Sequence, residues 1–136
     1  MNRARVVLAD DNESMLERAA SLLETEFEVV AKVHDGQAAV DAIVRLKPDL
    51  AVFDISMPVM TGLEAAAAVA DIDDPPRVVF LTIHEDDEFV AAARRVGAAG
   101  YVLKRDMFSD LIPAVIEALT QADLFKPVAE APVPHR

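Results

Sequence analysis

Cysteine is absent from the 136 residues, which excludes a disulfide framework, a thiolate metal site and a thiol nucleophile. Tryptophan is absent too and there is one tyrosine, so the core must be aliphatic, a composition suited to helices packed on a Val/Ile-rich sheet. Basic residues are scarce: 13 Lys and Arg against 24 Asp and Glu leave a formal net charge of −11. That field repels a phosphate backbone and attracts cations, so direct nucleic acid contact by this piece is not expected. No apolar run reaches membrane-spanning length, and the opening MNRARVVLADDNE lacks the apolar region of a signal peptide. The expectation is a soluble cytoplasmic protein with no membrane contact, and at this length a single domain.

Short apolar runs alternate with amphipathic stretches, a rhythm that predicts a parallel sheet flanked by helices. The strands are expected at Arg5–Ala9, Phe27–Val33, Leu50–Phe53, Val78–Leu81 and Tyr101–Leu103. Met15, Leu16, Ala19, Leu22 and Leu23 share one face of a first helix, and Ala39, Val40, Ile43 and Leu46 line a second, opened by Asp35-Gly36 and stopped by Pro48. Pro58 makes 55–60 a loop, and a third helix follows over about Thr61–Ala70. The fourth has Glu85, Asp86, Asp87 and Glu88 at its start, Arg94 and Arg95 at its end and Gly97 beyond, which suits the helix dipole. Ser109 is read as the cap of a last helix ending near Gln121, with Pro113 in its first turns. The chain divides into a domain over 1–122 and a tail over 123–136, whose Pro127, Pro132 and Pro134 mark a linker or flexible end.

Five strand–helix units make a doubly wound α/β sheet, in which a site lies beyond the carboxyl ends of the strands, where the winding reverses. Asp10 and Asp11, Asp54, Thr82 and Lys104 each stand at such an end. Singly, each is more often a helix-start acid, a strand-end residue or a solvated lysine; their joint placement reverses that judgement. Three carboxylates brought together repel one another unless they share a cation. With oxygen donors and no ligand spacing among the histidines, magnesium is the expected ion. Lys104 adds a fixed positive charge and Thr82 a hydroxyl, so the set can neutralise a phosphoryl group in transfer while an ionised aspartate attacks in line. Asp54, the central carboxylate, is the candidate nucleophile.

The segments VVLADDNE, DLAVFDISMPVMTGLE and VVFLTIHEDDEFVAAARRVGAAGYVLK resemble the response-regulator receiver family of two-component signalling, within the CheY-like superfamily, over about Arg3–Gln121. The run GAAGYVLK followed by a non-proline is most similar to receivers of LuxR/FixJ-type helix-turn-helix regulators. The resemblance implies a flavodoxin-like (βα)5 fold with strand order 2-1-3-4-5. It implies Asp54 as phosphoacceptor, Mg2+ bound by Asp11, Asp54 and the Ser56 carbonyl with Asp10 acting through water, and Thr82, Tyr101 and Lys104 as phosphoryl-binding and switch residues. It also implies a sensor histidine kinase or phosphotransfer protein as partner, a phosphorylation-dependent homodimer, and output through the fourth helix, fifth strand and last helix. The domain would be a signalling unit that assists its own phosphorylation and dephosphorylation, not an enzyme with an external substrate.

Two departures from the family pattern stand out. Where many receivers carry proline after the lysine, often in a cis peptide, this chain has Arg105; a cis bond there would cost roughly 3–4 kcal/mol, so trans is expected. The residue after Thr82 is often small, whereas Ile83 narrows the approach. Ser56, Ile83 and His84 are the residues expected to tune phosphoryl lifetime.

Other functions fit less well. A haloacid dehalogenase-like phosphohydrolase with an aspartate nucleophile needs Asp-x-Asp at the first strand, and Asp10-Asp11-Asn12 does not supply it. A flavodoxin-like electron carrier needs a Ser/Thr/Gly-rich phosphate loop there. A non-phosphorylated adaptor with a receiver-like fold is disfavoured by the presence of every polar residue expected. The piece is read either as a fragment whose tail begins a linker to a DNA-binding domain, the preferred view, or as a stand-alone receiver.

Overall fold

Each apolar run forms a strand because its Val, Leu, Ala and Phe side chains fill both faces of one sheet. The computed structural model describes residues 3–129, with side chains to residue 121. The order is β1 (Arg5–Ala9), α1 (Glu13–Leu23), β2 (Glu28–Val33), α2 (Gly36–Leu46), β3 (Leu50–Phe53), α3 (Gly62–Val69), β4 (Arg77–Thr82), α4 (Asp87–Arg95), β5 (Gly100–Leu103), a 3-10 turn (Lys104–Asp106) and α5 (Met107–Ala129). All pairings are parallel and the sheet order is β2-β1-β3-β4-β5, as expected.

Alternation along the strands separates two cores. Val6, Leu8, Leu50, Val52, Val79 and Leu81 face α1 and α5, where Leu16, Leu23, Met107, Leu111 and Val115 close one layer. Val7, Ala9, Ala51, Phe53, Val78 and Phe80 face the other helices, meeting Ile43, Ala65, Val69 and Ala93. Central strand β3 is buried along its whole length, which is why it reads as a continuous apolar run rather than an alternating one. From β1 the chain moves one way to β2 and the other way to β3. The carboxyl ends of β1 and β3 therefore flank the point where the winding reverses.

Local chemistry fixes the helix starts. Asn12, Asp35 and Thr61 cap α1, α2 and α3 through side-chain bonds to Met15, Ala38 and Glu64 N–H, and Glu64 returns a bond to Thr61 to complete a capping box. α4 has the expected polarity, but its cap residue Asp86 makes no side-chain bond. Among the described residues no peptide is cis, so Lys104–Arg105 is trans as anticipated.

The last helix departs from expectation at both ends. It starts at Met107, and Ser109 lies inside its first turn, donating to the Asp106 carbonyl instead of capping. Burial of Met107 and Leu111 outweighs the capping preference of serine. The backbone continues helical to Ala129, past Gln121 and through Pro127. The backbone of 124–129, where a linker or flexible end was expected, is helical, with Pro127 contributing no N–H to the ladder; the remainder, 130–136, lies outside the described residues.

One loop carries strain. Val59 has φ of 69° and Met60 N–H donates to the Pro58 carbonyl at 2.7 Å, the signature of a γ-turn. A β-branched residue there is a steric outlier, and the side chain, 81% exposed, gains little from packing. Val59→Gly is expected to stabilise the fold by on the order of 1 kcal/mol, the relief of strain exceeding the added entropy of the unfolded chain. A rise in the urea midpoint at unchanged slope checks this; a lower midpoint contradicts it.

Candidate functional site

The polar residues singled out in the sequence converge at the carboxyl edge of the sheet. The ladder extends one residue past β1 and β3, with Asp10 N–H donating to the Val33 carbonyl at 3.1 Å and Asp54 N–H to the Ala9 carbonyl at 3.0 Å. The two aspartates thereby share the rigidity of the central strands. Both are buried, at 2% and 6% exposure, while Asp11 is exposed beside them. Carboxylate oxygens of Asp10, Asp11 and Asp54 lie within 4.8 Å of one another.

Lys104 enters from the end of β5. Its Nζ is 2.9 Å from Asp10 Oδ2 and 3.0 Å from Asp54 Oδ2. Burial opposes the lysine charge, yet the bonds to the two carboxylates outweigh it and hold the ammonium pKa above the usual range. For Asp10 burial is the dominant influence and raises the carboxyl pKa, against lowering by Lys104 and by the Asn12 N–H bond at 2.9 Å. Among the described residues, Asp54 Oδ1 is the buried side-chain polar atom left without a partner. One oxygen of this carboxylate is held and the other is open.

Thr82 is fully buried at the end of β4, and its hydroxyl accepts the His84 N–H at 3.3 Å. The Tyr101 hydroxyl donates to the His84 carbonyl at 2.8 Å, and burial, reinforced by the Asp86 and Asp54 carboxylates, raises its pKa. The Tyr101 ring lies 6.4 Å from Phe80, which lies 6.4 Å from Phe53, so an aromatic row runs from the residue before Asp54 to the tyrosine. Ser56 and His84 meet through a hydrogen bond of 2.8 Å between Oγ and Nε2. Ile83 turns outward, 69% exposed, and Arg105 pairs with Glu85 across the neighbouring loops.

Three features were missed in the sequence. Gly62 has no room for a side chain, because a Cβ there would lie 2.0 Å from the Asp54 carbonyl oxygen; glycine at a helix start four residues after Pro58 was a usable signal. Asn12, beyond capping α1, binds Asp10 Oδ1 through its N–H, an Asx pattern visible in the local residues. The stacking of His84 on Phe89 at 4.1 Å had no sequence signature.

Residues 6–116 match the response regulator receiver domain family. The chain belongs to the response-regulator receiver family. This receiver is 35% identical over 128 residues to the NarL transcriptional regulatory protein of Mycobacterium tuberculosis, covering 92% of this chain and 59% of that one. It is 32% identical over 126 residues to the transcriptional regulatory protein DegU of Brevibacillus brevis, covering 91% and 53%. The receiver thus spans between half and two thirds of the length of these regulators. The signal receiver domain of Mycobacterium tuberculosis NarL superposes with a TM-score of 0.84 at 33% identity, covering 88% of this chain and 98% of that one. A LuxR-family two-component response regulator from Aurantimonas sp. SI85-9A1 gives 0.83 at 29% identity, covering 95% and 97%. No helix of the receiver, among the described residues, is long and apolar enough to cross a membrane.

Proposed function

We propose that this receiver takes a phosphoryl group from a histidine of a partner kinase or phosphotransfer protein onto Asp54. The observation that carries the reading is the asymmetry of that carboxylate: Lys104 holds Oδ2 at 3.0 Å while the buried Oδ1 has no partner. A buried anionic oxygen with no donor is costly unless a cation or an electrophile meets it. The clustered Asp10, Asp11 and Asp54 and the Ser56 carbonyl suit a hard divalent ion such as Mg2+. When bound, the ion supplies positive charge against phosphoryl oxygens. The chain's own part is orientation: Asp54 forms the new P–O bond as the P–N bond to the donor histidine breaks, and Lys104 offers charge to the transferred oxygens. Thr82 donates its hydroxyl to the phosphoryl group in this reading, and Tyr101 follows, a role supported by the contact each makes with the His84 backbone. Ser56, Ile83 and His84 flank the approach and tune lifetime. Acting in the cytoplasm, the phosphorylated receiver pairs with a second copy and, as the regulators it is similar to suggest, governs transcription through a DNA-binding partner domain.

Incubation with a small phosphodonor and Mg2+, followed by intact-mass measurement, tests the assignment. The wild type is expected to gain one phosphoryl mass and Asp54→Ala none. A gain in both would refute Asp54 as acceptor.

A further inference from the structure

The first turn of α4 is weakly secured by its own chemistry. Asp86 makes no side-chain cap bond, and Ala93 is the one fully buried residue of the helix, so neither capping nor deep burial holds its start. Phe89, in that first turn, is half-buried and packs against the core cluster that holds Phe53, Phe80 and Ala93. Its ring stacks on His84 with centroids 4.1 Å apart and planes 20° from parallel. The other side of this contact is the acceptor site: His84 Nε2 binds the Ser56 hydroxyl at 2.8 Å, its N–H donates to Thr82, and its carbonyl accepts from Tyr101.

Ser56 and the His84 side chain come from different loops and bridge the ends of β3 and β4, where Asp54 and Thr82 stand. Both are near solvent, and an exposed hydrogen bond is readily exchanged for water. The bridge persists only if something else restricts the imidazole. The flat Phe89 ring does this by removing rotamer freedom from His84.

We propose that Phe89, outside the acceptor site, is a positioning residue that lengthens phosphoryl lifetime by clamping His84 against Ser56. The inference rests on the phosphoacceptor reading above. In hydrolysis a water oxygen attacks phosphorus, the P–O bond to Asp54 breaks, the electron pair returns to the carboxylate, and the water proton passes to solvent, leaving inorganic phosphate. Such a water approaches in line with the breaking bond, from the side away from Asp54. A fixed Ser56–His84 bridge restricts that approach; a loose one admits it.

The test is the first-order loss of phosphoryl mass from the full chain after the phosphodonor is removed, with Mg2+ saturating. Phe89→Leu is expected to load as fully as wild type and to lose phosphate about three- to tenfold faster, the range set by the ordering worth of one hydrogen bond. Phe89→Tyr, which keeps a stacking ring, is expected to restore the wild-type rate. In a His84→Ala background Phe89→Leu is expected to add nothing, since the residue acts through the imidazole. A wild-type rate in Phe89→Leu, or an undiminished acceleration in the His84→Ala background, overturns the clamp. Failure of the wild type to load defeats the phosphoacceptor reading and the clamp together, whereas full loading with an unaltered rate defeats the clamp alone.

Discussion

Replacing Lys104 with methionine is expected to destabilise the receiver by about 3–5 kcal/mol at neutral pH, the range for removing one partner of a buried charge set. The lysine side chain is 12% exposed and lies within 3.0 Å of both Asp10 and Asp54. Methionine keeps the stem's packing but leaves two buried carboxylates with no positive charge between them. Burial already pushes Asp10 above its ordinary value of 3.8, with Lys104 the first of the influences opposing that rise. Without the ammonium the folded-state value rises further, so the folded variant binds a proton more readily than its unfolded chain. The deficit is then full at neutral pH and shrinks as pH falls through the raised folded value toward 3.8. Lys104 does not create this dependence, because its own raised pKa lies above 10.5 and it stays charged throughout that window. Mg2+ at a hundredfold excess over Kd stabilises either protein by about 2.7 kcal/mol, so at one Mg2+ concentration the deficit is expected to narrow only by as much as the variant, with no ammonium competing for the carboxylates, binds the ion more tightly. Urea unfolding of both proteins at neutral and mildly acid pH, with and without Mg2+, checks each part. Equal stability at neutral pH without metal would show that the lysine does not hold the carboxylates together.

The same residues show where sequence reasoning reaches. Asp10, Asp54, Thr82 and Lys104 were legible because each closes an apolar strand, and in a parallel sheet with this winding all such closures fall on one edge. The strand order followed from the family resemblance and the strand positions from the short apolar runs. The Lys104–Asp54 contact, across 50 positions, followed from that shared edge. What resisted reading was contact between loop residues off the strand ends: Ser56 and His84 are 28 positions apart and bond to each other, and His84 stacks on Phe89, and no local pattern states which of these side chains meet. The start of α5 was misplaced for a related reason: a cap preference at Ser109 is local, whereas burial of Met107 at 0% exposure is tertiary. Its end was set near Gln121 because the prolines beyond were read as marking a linker, whereas the helical backbone runs through Pro127 to Ala129.

Gly62→Ala offers the sharpest separation of local propensity from tertiary fit. By propensity alone, alanine at the start of α3 should stabilise the helix by up to about 1 kcal/mol. The structure gives the opposite sign. An alanine Cβ would stand 2.0 Å from the Asp54 carbonyl oxygen and 2.9 Å from its carbonyl carbon. Both are backbone atoms, so no side-chain rotation relieves the overlap, and Gly62 N–H is itself held to the Ile55 carbonyl at 2.8 Å. Either α3 withdraws, disturbing the capping box of Thr61 and Glu64, or the Asp54 peptide moves. The expected destabilisation is about 3 kcal/mol or more, the upper range for overpacking. The second consequence is chemical. Displacing the Asp54 backbone shifts the carboxylate relative to Lys104 and to the Asp10–Asp11 pair, and a shift of about 1 Å at a reacting group slows transfer on the order of a hundredfold. Phosphoryl gain from a small donor, followed by intact mass under conditions where the variant remains folded, should therefore be slowed far more than the stability change requires. Wild-type stability with wild-type loading would mean that the α3 start yields freely, and that Gly62 does not set the position of the Asp54 carboxylate.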